Sequence, residues 1–158
     1  MYNKLIVLSE RMRHEGALLG GQLSAESLQQ ALQEERAESI SQDGEIIAFG
    51  ALWPRERSIE LGSMWVATEH RGRGFGSTIF GRLIARAPKN TRLFLISHNA
   101  LIVHLALKNS MQEANKENWA NAVPWSASCG PCDRLTETEK SNCPFMCAEK
   151  ECRLFFRV

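Results

Sequence analysis

Hydrophobic and polar positions along the chain repeat with two different periods, and together they predict an α/β fold. Apolar residues spaced three and four apart predict helices over about residues 4–14, from Ser24 to near Arg36, and after Asn99, with Ser24 and Asn99 expected to cap the second and the last of these. Runs rich in β-branched and aromatic residues predict strands over residues 37–41, 45–52, 58–66, 91–97 and 152–158. The pair Asp43-Gly44 is typical of a tight turn, so the first two strands are expected to form a β-hairpin. Residues 53–57, Trp-Pro-Arg-Glu-Arg, are expected to form a polar turn into the next strand.

Residues 58–87 are predicted to form a strand, a tight loop and a helix, and the loop carries candidate chemistry. Residues 71–76 read Arg-Gly-Arg-Gly-Phe-Gly, so three glycines let the backbone come close to a ligand. The helix follows the loop at once, with Ser77 expected in its first turn and an apolar face formed by Ile79, Phe80, Leu83, Ile84 and Ala87. Free N–H groups at the start of a helix attract phosphate, and Arg71 and Arg73 add positive charge beside them. The spacing G-x-G-x-G excludes both a P-loop and the dinucleotide-binding fingerprint.

This loop resembles the [Q/R]-x-x-G-x-[G/A] pyrophosphate loop of the GNAT superfamily, the acyl-CoA-dependent N-acetyltransferases. Val66 stands five residues ahead of Arg71, where these enzymes end the preceding strand in a hydrophobic residue. The resemblance covers roughly residues 15–111 and includes the order of the predicted elements. It implies a GNAT fold, in which helices flank a central mixed, mostly antiparallel sheet. The 158-residue chain is accordingly predicted to be a single N-acetyltransferase domain with a Cys-rich insertion over residues 120–152.

The resemblance also implies which residues bind acetyl-CoA. Backbone N–H groups of the loop would hold the pyrophosphate, the strand edge before the loop would pair with the pantetheine amides, and the N–H of Val66 would stabilise the oxyanion. The residues assigned to the cofactor are Met64, Trp65, Val66, Arg71, Gly72, Arg73, Gly74, Phe75, Gly76, Ser77 and Asn99.

Glu60 is the candidate general base, because it lies at the offset of the base glutamate in the histone-acetylating members of the superfamily. Unbroken alternation along the strand would place Glu60, Gly62, Met64 and Val66 on one face. A glutamate in a partly dry cleft can take a proton from an ammonium group. The alternative interpretation is a solvated or ion-paired strand glutamate without a catalytic role.

The tyrosine that acts as general acid in many GNAT enzymes has no counterpart at the matching position. Many GNAT enzymes carry a tyrosine seven residues after the asparagine that here is Asn99, and that position is Ala106. Tyr2 is the single tyrosine in the chain. His104 is two residues away and faces another side of the helix. Ser110, expected on the same helix face as Ala106, or a water molecule is left to assist the leaving thiolate.

Within the superfamily, the pattern looks most like the amino-acid N-acetyltransferase branch. Five sequence features carry this resemblance: Leu18-Leu19, a Ser-x-x-x-Leu helix, the hairpin turn Asp43-Gly44, Glu60-Leu61, and the strand Leu93-Phe94-x-Ile96. Gly20-Gly21 stands where that branch has a Pro-Arg pair. The departure from the pattern of the branch argues against recognition of an amino-acid carboxylate at this position.

The cysteines all lie in the last 30 residues. Cys129, Cys132, Cys143 and Cys147 form two closely spaced pairs, as in sites where four thiolates bind one zinc ion, and Cys152 is left over. Cys129-Gly130-Pro131-Cys132 also resembles the redox tetrapeptide of thioredoxin, although it does not follow a predicted βαβ pattern. Free thiols and disulfides remain open as alternatives.

Composition limits the partners. With 19 basic and 18 acidic residues the net charge is +1, so nucleic acid is not expected as an electrostatic partner. The N-terminal apolar run is too short for a signal peptide or membrane span, so a cytoplasmic location without membrane association is expected. A homodimer is the candidate assembly.

These observations favour an enzyme that transfers an acetyl group from acetyl-CoA to a primary amine of a small molecule or peptide, by direct attack in a ternary complex. A non-catalytic acyl-CoA-binding or regulatory module is the first alternative, because the tyrosine is missing. A zinc-stabilised interaction protein is the second, and it depends on the cysteines alone.

Overall fold

The computed structural model describes residues 1–15, 24–55, 57–97, 99–114 and 153–157. Four helices, six strands and a short 3-10 helix lie in this part of the chain. In chain order they are α1 Tyr2–His14, α2 Ala25–Gln33, β1 Ala37–Gln42, β2 Glu45–Arg55, β3 Ser58–Val66, the 3-10 helix Thr68–His70, α3 Phe75–Arg86, β4 Arg92–Ser97, α4 Ala100–Lys108, β5 Gln112–Ala114 and β6 Arg153–Arg157.

The six strands form one hydrogen-bonded sheet in the order β1-β2-β3-β4-β6-β5. β1 pairs with β2, β4 with β6, and β5 with β6 in antiparallel registers. β3 pairs with β4 in parallel, through Ser58 to Glu60 against Arg92 to Phe94. The mixed, mostly antiparallel sheet flanked by helices is therefore confirmed. The chain divides into two compact units, and the division crosses β3 between Glu60 and Leu61.

The first unit comprises Met1–Trp53 and Leu61–Arg86. Its core forms where the apolar stripe of α1, namely Leu5, Leu8 and Met12, packs with α2 and the buried side chains of the strands. These three side chains are at most 2% exposed, as the spacing of apolar residues predicts. Ser24 caps α2 by accepting a hydrogen bond from the backbone N–H of Ser27 at 3.3 Å, so the predicted cap is confirmed.

The β-hairpin turns through two residues in the left-handed region, Asp43 with φ of +50° and Gly44 with φ of +82°. Positive φ at both central residues matches the twist of the flanking strands, which is why Asp-Gly predicts this turn. The strand after the turn is longer than predicted. β2 runs on through Trp53 and Pro54 to Arg55, so the expectation of a polar turn beginning at Trp53 is wrong.

Gly50 of β2 lies where α3 packs closely on the sheet. A Cβ atom at this position would lie 2.6 Å from Met64 Sδ, 2.7 Å from Ile79 Cγ2 and 2.9 Å from Leu83 Cδ1. Overpacking a dense core generally costs about 1–3 kcal/mol. We therefore expect Gly50→Ala to lower the free energy of unfolding by about that amount, measured by urea titration.

Gly81 provides the matched control, because it lies in α3 and a Cβ there meets no atom within 4 Å. Alanine is the better helix former, so Gly81→Ala should raise stability by about 0.5–1 kcal/mol. Equal effects of the two substitutions would contradict the packing described for Gly50.

The second unit comprises Pro54–Glu60 and Ala87–Val158, of which residues 54–55, 57–60, 87–97, 99–114 and 153–157 are described. Phe94, Ala114 and Leu154 form its buried cluster. The predicted closing strand is confirmed as β6, which pairs with β4 through Leu95 and Phe155 among other residues. β5 was missed, because it has only three residues and two of them, Gln112 and Glu113, are polar and exposed. Within the described residues, no helix combines the length and hydrophobicity needed to cross a membrane.

Candidate functional site

The glycine-rich loop follows β3 and the 3-10 helix, and it leads directly into α3. Gly72 and Gly74 have φ of +77° and +83°, which favours glycine because L side chains are strained in this region. A Cβ built at either position meets no atom within 4 Å. The loop therefore exposes its backbone to open space, as a surface that receives a ligand must.

The N-terminus of α3 supplies hydrogen-bond donors at the end of this loop. The first helical hydrogen bond runs from Thr78 N to Gly74 O at 3.0 Å. The N–H groups of Phe75, Gly76 and Ser77 precede it and have no place in the helical ladder. The first turn contains no acidic residue, and Arg73 is exposed nearby. Free donors, a helix N-terminus and a cation fit a diphosphate, and therefore the pyrophosphate of CoA.

Arg71, the first residue of the loop, was expected to add positive charge beside the helix N-terminus, but its guanidinium has acceptors within the protein. Its Nε donates to the backbone oxygen of Val66 at 3.0 Å, and its Nη2 donates to Glu15 Oε2 at 3.1 Å. The side chain remains 56% exposed. The guanidinium is therefore held by protein acceptors and is not simply a free charge beside the helix.

The end of β3 is tied to α1 through Trp65. The Trp65 side chain is 3% exposed, and its Nε1 donates to Glu15 Oε2 at 2.8 Å. The guanidinium of Arg11 lies 5.3 Å from the centre of the indole ring, within cation–π range. Because the indole is buried, Trp65 can contribute to cofactor binding only through its backbone. Met64 and Val66 are half-buried.

Glu60 has a guanidinium partner. Its Oε2 accepts hydrogen bonds from Arg55 Nε at 2.9 Å and from Arg55 Nη2 at 2.5 Å. The two side chains are 17% and 22% exposed, so this ion pair is partly shielded from water. The structure thus shows the ion-paired arrangement that was the alternative interpretation. A substrate ammonium group would have to compete with Arg55 for this carboxylate.

β3 is not a regular strand throughout, and a shared face for Glu60 and Val66 would require a regular alternation between them. Ser63 has φ of +55°, outside the extended region, and its Oγ accepts a hydrogen bond from Trp53 Nε1 at 2.9 Å. A left-handed residue inside a strand is the kind of irregularity that a β-bulge produces. The condition for one face through Glu60, Gly62, Met64 and Val66, an unbroken alternation, is therefore not met at Ser63.

Comparison with known proteins decides the family. Residues 12–108, more than half of the chain, match the model of the acetyltransferase (GNAT) family. The chain belongs to the GNAT family. No curated protein matches it significantly.

Several solved structures share this GNAT fold. Rv2747 from Mycobacterium tuberculosis, in complex with CoA, has a TM-score of 0.62 at 16% identity, with 100% of this chain and 95% of that chain covered. A ribosomal-protein-alanine N-acetyltransferase from Brucella melitensis has a TM-score of 0.57 at 21% identity, covering 73% and 83%.

The N-acetylglutamate synthase from Neisseria gonorrhoeae, in complex with CoA and N-acetyl-glutamate, has a TM-score of 0.57 at 19% identity. The match covers 98% of this chain and 32% of that one, so the chain spans about a third of the Neisseria protein. At these identities the likeness shows the fold.

The helix that carries the tyrosine in many GNAT enzymes is α4. Asn99 is its N-cap, and Asn99 Oδ1 accepts hydrogen bonds from the N–H groups of Leu101 at 2.9 Å and Ile102 at 3.4 Å. The side-chain oxygen of Asn99 is thus used to cap the helix, as predicted. Ala106 is fully buried, and His104 is exposed.

Ser110 was expected to share a helix face with Ala106, and this prediction is wrong. α4 ends at Lys108, and Ser110 lies beyond it with φ of +59°. A residue outside the helix with a left-handed backbone is not placed by helical spacing. Ser110 is therefore not supported as a substitute for the tyrosine.

The predicted zinc ligands Cys129, Cys132, Cys143 and Cys147 lie outside the described residues, as do Cys152 and Gly20-Gly21. In the described part of the chain, no group of three or more potential metal ligands occurs. The zinc site therefore stays a prediction from the sequence.

Glu15 and Arg11 were missed by the sequence analysis. Both lie on or at the end of α1, between 50 and 58 residues before the residues they contact. Their spacing of four residues is common on any helix surface, so no local pattern singles them out.

Proposed function

We propose that this GNAT protein is an acetyl-CoA-dependent N-acetyltransferase that acetylates a primary amine of a small molecule or peptide by direct attack in a ternary complex. The observation that carries the proposal is the loop with left-handed Gly72 and Gly74 in front of α3. Complexes of the Mycobacterium and Neisseria proteins with CoA support it, because both share this fold.

Acetyl-CoA brings the acetyl group as a thioester, which is already activated for attack by an amine. The chain binds the diphosphate through the N–H groups that follow Gly74 and through Arg73. The N–H of Val66 is proposed to donate a hydrogen bond to the carbonyl oxygen as negative charge develops on it. This donor would favour the transition state over the ground state.

Glu60 is proposed to accept the proton that the attacking amine loses. The ion pair with Arg55 keeps the carboxylate in a fixed position, and proton transfer requires that a substrate ammonium or a bridging water reach one of its oxygens. The sulfur leaves as a thiolate and takes its proton from water, since Ala106 occupies the position of the family tyrosine. A thiol with an ordinary pKa near 8.5 can leave in this way.

Glu60→Gln tests the base directly. The amide keeps the size of the side chain and still accepts a hydrogen bond from Arg55, but it cannot take up a proton at neutral pH. We expect the acetyl-transfer rate to fall by at least about tenfold, while the dissociation constant for CoA stays nearly unchanged. Steady-state kinetics and calorimetry would measure the two quantities, and an unchanged rate would remove Glu60 from the mechanism.

The ion pair and Ala106 also favour a second candidate, a non-catalytic acyl-CoA-binding module. In that case the carboxylate of Glu60 would serve only to hold Arg55, and no acid would be needed. Incubation with acetyl-CoA and a panel of amines, followed by mass spectrometry, separates the two functions. The panel should include amino acids and peptide N-termini, because the Neisseria complex contains N-acetyl-glutamate and the Brucella protein is named for alanine. An acetylated product supports the enzyme, and binding without product supports the module.

A further inference from the structure

The carboxylate of Glu15, at the end of α1, accepts hydrogen bonds from the segment that leads into the glycine-rich loop. Glu15 Oε2 accepts from Trp65 Nε1 at 2.8 Å, from Arg71 Nη2 at 3.1 Å and from Thr68 Oγ1 at 3.4 Å. Its side chain is 19% exposed. Because these donors converge on one oxygen, the carboxylate ties the end of β3 to the first residue of the loop.

Arg71 extends this connection to the backbone. The same guanidinium donates through Nη2 to Glu15 and through Nε to the carbonyl oxygen of Val66. The planar arginine fork can span two acceptors in a fixed geometry, which a lysine ammonium cannot reproduce. Arg71 therefore fixes the last residue of β3, whose N–H is the proposed oxyanion donor.

A second ion pair connects the same two segments. Arg11 Nη2 donates to Glu69 Oε1 at 2.9 Å, and the guanidinium also lies over the Trp65 ring. Arg11 of α1 thus pairs with Glu69, and Glu15 at the end of α1 pairs with Arg71. The order of charges is opposite in the two segments, cation then anion in α1 and anion then cation in residues 69–71. The complementary order of charges favours a single alignment of α1 against residues 65–71.

We propose that Glu15 is a positioning residue for acetyl-CoA. Through Arg71 and Trp65 it sets the end of β3 and the start of the loop, so that the N–H groups after Gly74 are placed for the diphosphate. Arg71 then serves as a link within the protein, and the positive charge for the diphosphate comes from Arg73 and the N-terminus of α3. This inference rests on the proposed function.

The competing account makes Arg71 a direct ligand of the diphosphate, held by Glu15 only until the cofactor arrives. The two hypotheses predict opposite changes in CoA affinity when the carboxylate of Glu15 is removed. If Glu15 competes for Arg71, removing the carboxylate frees a cation and removes a nearby negative charge, so CoA should bind equally well or more tightly. If Glu15 positions Arg71, removing it should weaken binding.

Calorimetric titration with CoA of the wild type, Glu15→Ala, Arg71→Lys and the double variant tests the proposal. We expect each single variant to weaken binding by about tenfold, as loss of a charge-assisted hydrogen bond generally does. The double variant should be no weaker than the weaker single one, because both substitutions break the same link. Glu10→Ala, an exposed glutamate on α1, is the matched control and should bind as the wild type does.

Three results would overturn the proposal: CoA affinity that is unchanged or higher in Glu15→Ala, wild-type affinity in Arg71→Lys, or additive losses in the double variant. Thermal unfolding of each variant confirms that the folded state is compared. Should Glu15→Ala not fold, Glu15→Gln takes its place, with the same direction of effect expected. Failure of the wild type to bind CoA would contradict the proposed function itself, and so is distinguishable from failure at Glu15.

Discussion

Replacement of Gly74 by aspartate should abolish CoA binding, with a loss of affinity of at least about 100-fold. Two effects act in the same direction. Gly74 has φ of +83°, so any L side chain strains the backbone that presents the N–H groups. The aspartate also places a negative charge immediately before the N-terminus of α3, where the diphosphate is proposed to lie. Calorimetric titration with CoA measures the loss.

Gly74→Ala and Gly74→Asn separate the two effects. Alanine carries the strain without the charge, and asparagine tolerates the left-handed region better than most residues. We expect asparagine to lose the least affinity and aspartate the most. If aspartate and asparagine bound CoA equally well, charge repulsion at this site would be disproved, and with it the placement of the diphosphate.

Phe80→Ala should destabilise the protein by about 3–5 kcal/mol, the usual cost of removing a fully buried phenylalanine. Phe80 is 0% exposed and lies on the buried face of α3, together with Ile79 and Leu83. This face holds α3, and therefore the loop at its N-terminus, against the sheet. Urea-induced unfolding measures the change in the free energy of unfolding.

Leu107→Ala is the matched control for Phe80→Ala. Leu107 is 53% exposed on α4, so truncation there removes little buried surface and should change stability by less than about 0.5 kcal/mol. A loss at Phe80 of the same small size would show that α3 does not pack as described.

The parts of the fold that were predicted correctly are those encoded by short-range patterns. The strand Ser58–Val66 agrees at both ends with the prediction, because its apolar run is bounded by a turn and by the glycine-rich loop. The stripe of α3 and the Asp43-Gly44 turn were predicted for the same reason. Helical spacing and turn chemistry act between residues that are close in sequence, so one sequence reveals them.

The errors arise where an interaction joins residues that are distant in sequence or departs from the regular period. Trp65 binds Glu15 across 50 residues, and nothing in the local sequence indicates that pair. The left-handed Ser63 breaks an alternation that its neighbours suggest. Arg55 was assigned to a turn, and so its ion pair with Glu60 could not be anticipated. The candidate loop was therefore predictable, whereas the surroundings of Arg71 and of the candidate base Glu60 were not.

The ion pair between Glu60 and Arg55 affects proton transfer and cofactor binding differently. A base held by arginine and a helix without tyrosine both reduce the help available for proton transfer, whereas the loop retains the features needed to hold a diphosphate. Cofactor binding thus does not depend on Glu60, whereas turnover is proposed to require it. The two properties can be measured separately, because Glu60→Gln is expected to lower turnover while CoA still binds. Gly74→Asp is expected to abolish CoA binding, and turnover with it.

Calorimetric titration of the wild-type protein with acetyl-CoA tests most directly whether the glycine-rich loop binds the cofactor. We expect saturable binding of one acetyl-CoA per chain, which weakens as ionic strength rises because the diphosphate is held in part by charge. Gly74→Asp in the same experiment should show no binding. Absence of binding by the wild type, or binding that Gly74→Asp leaves intact, would contradict the assignment of this loop.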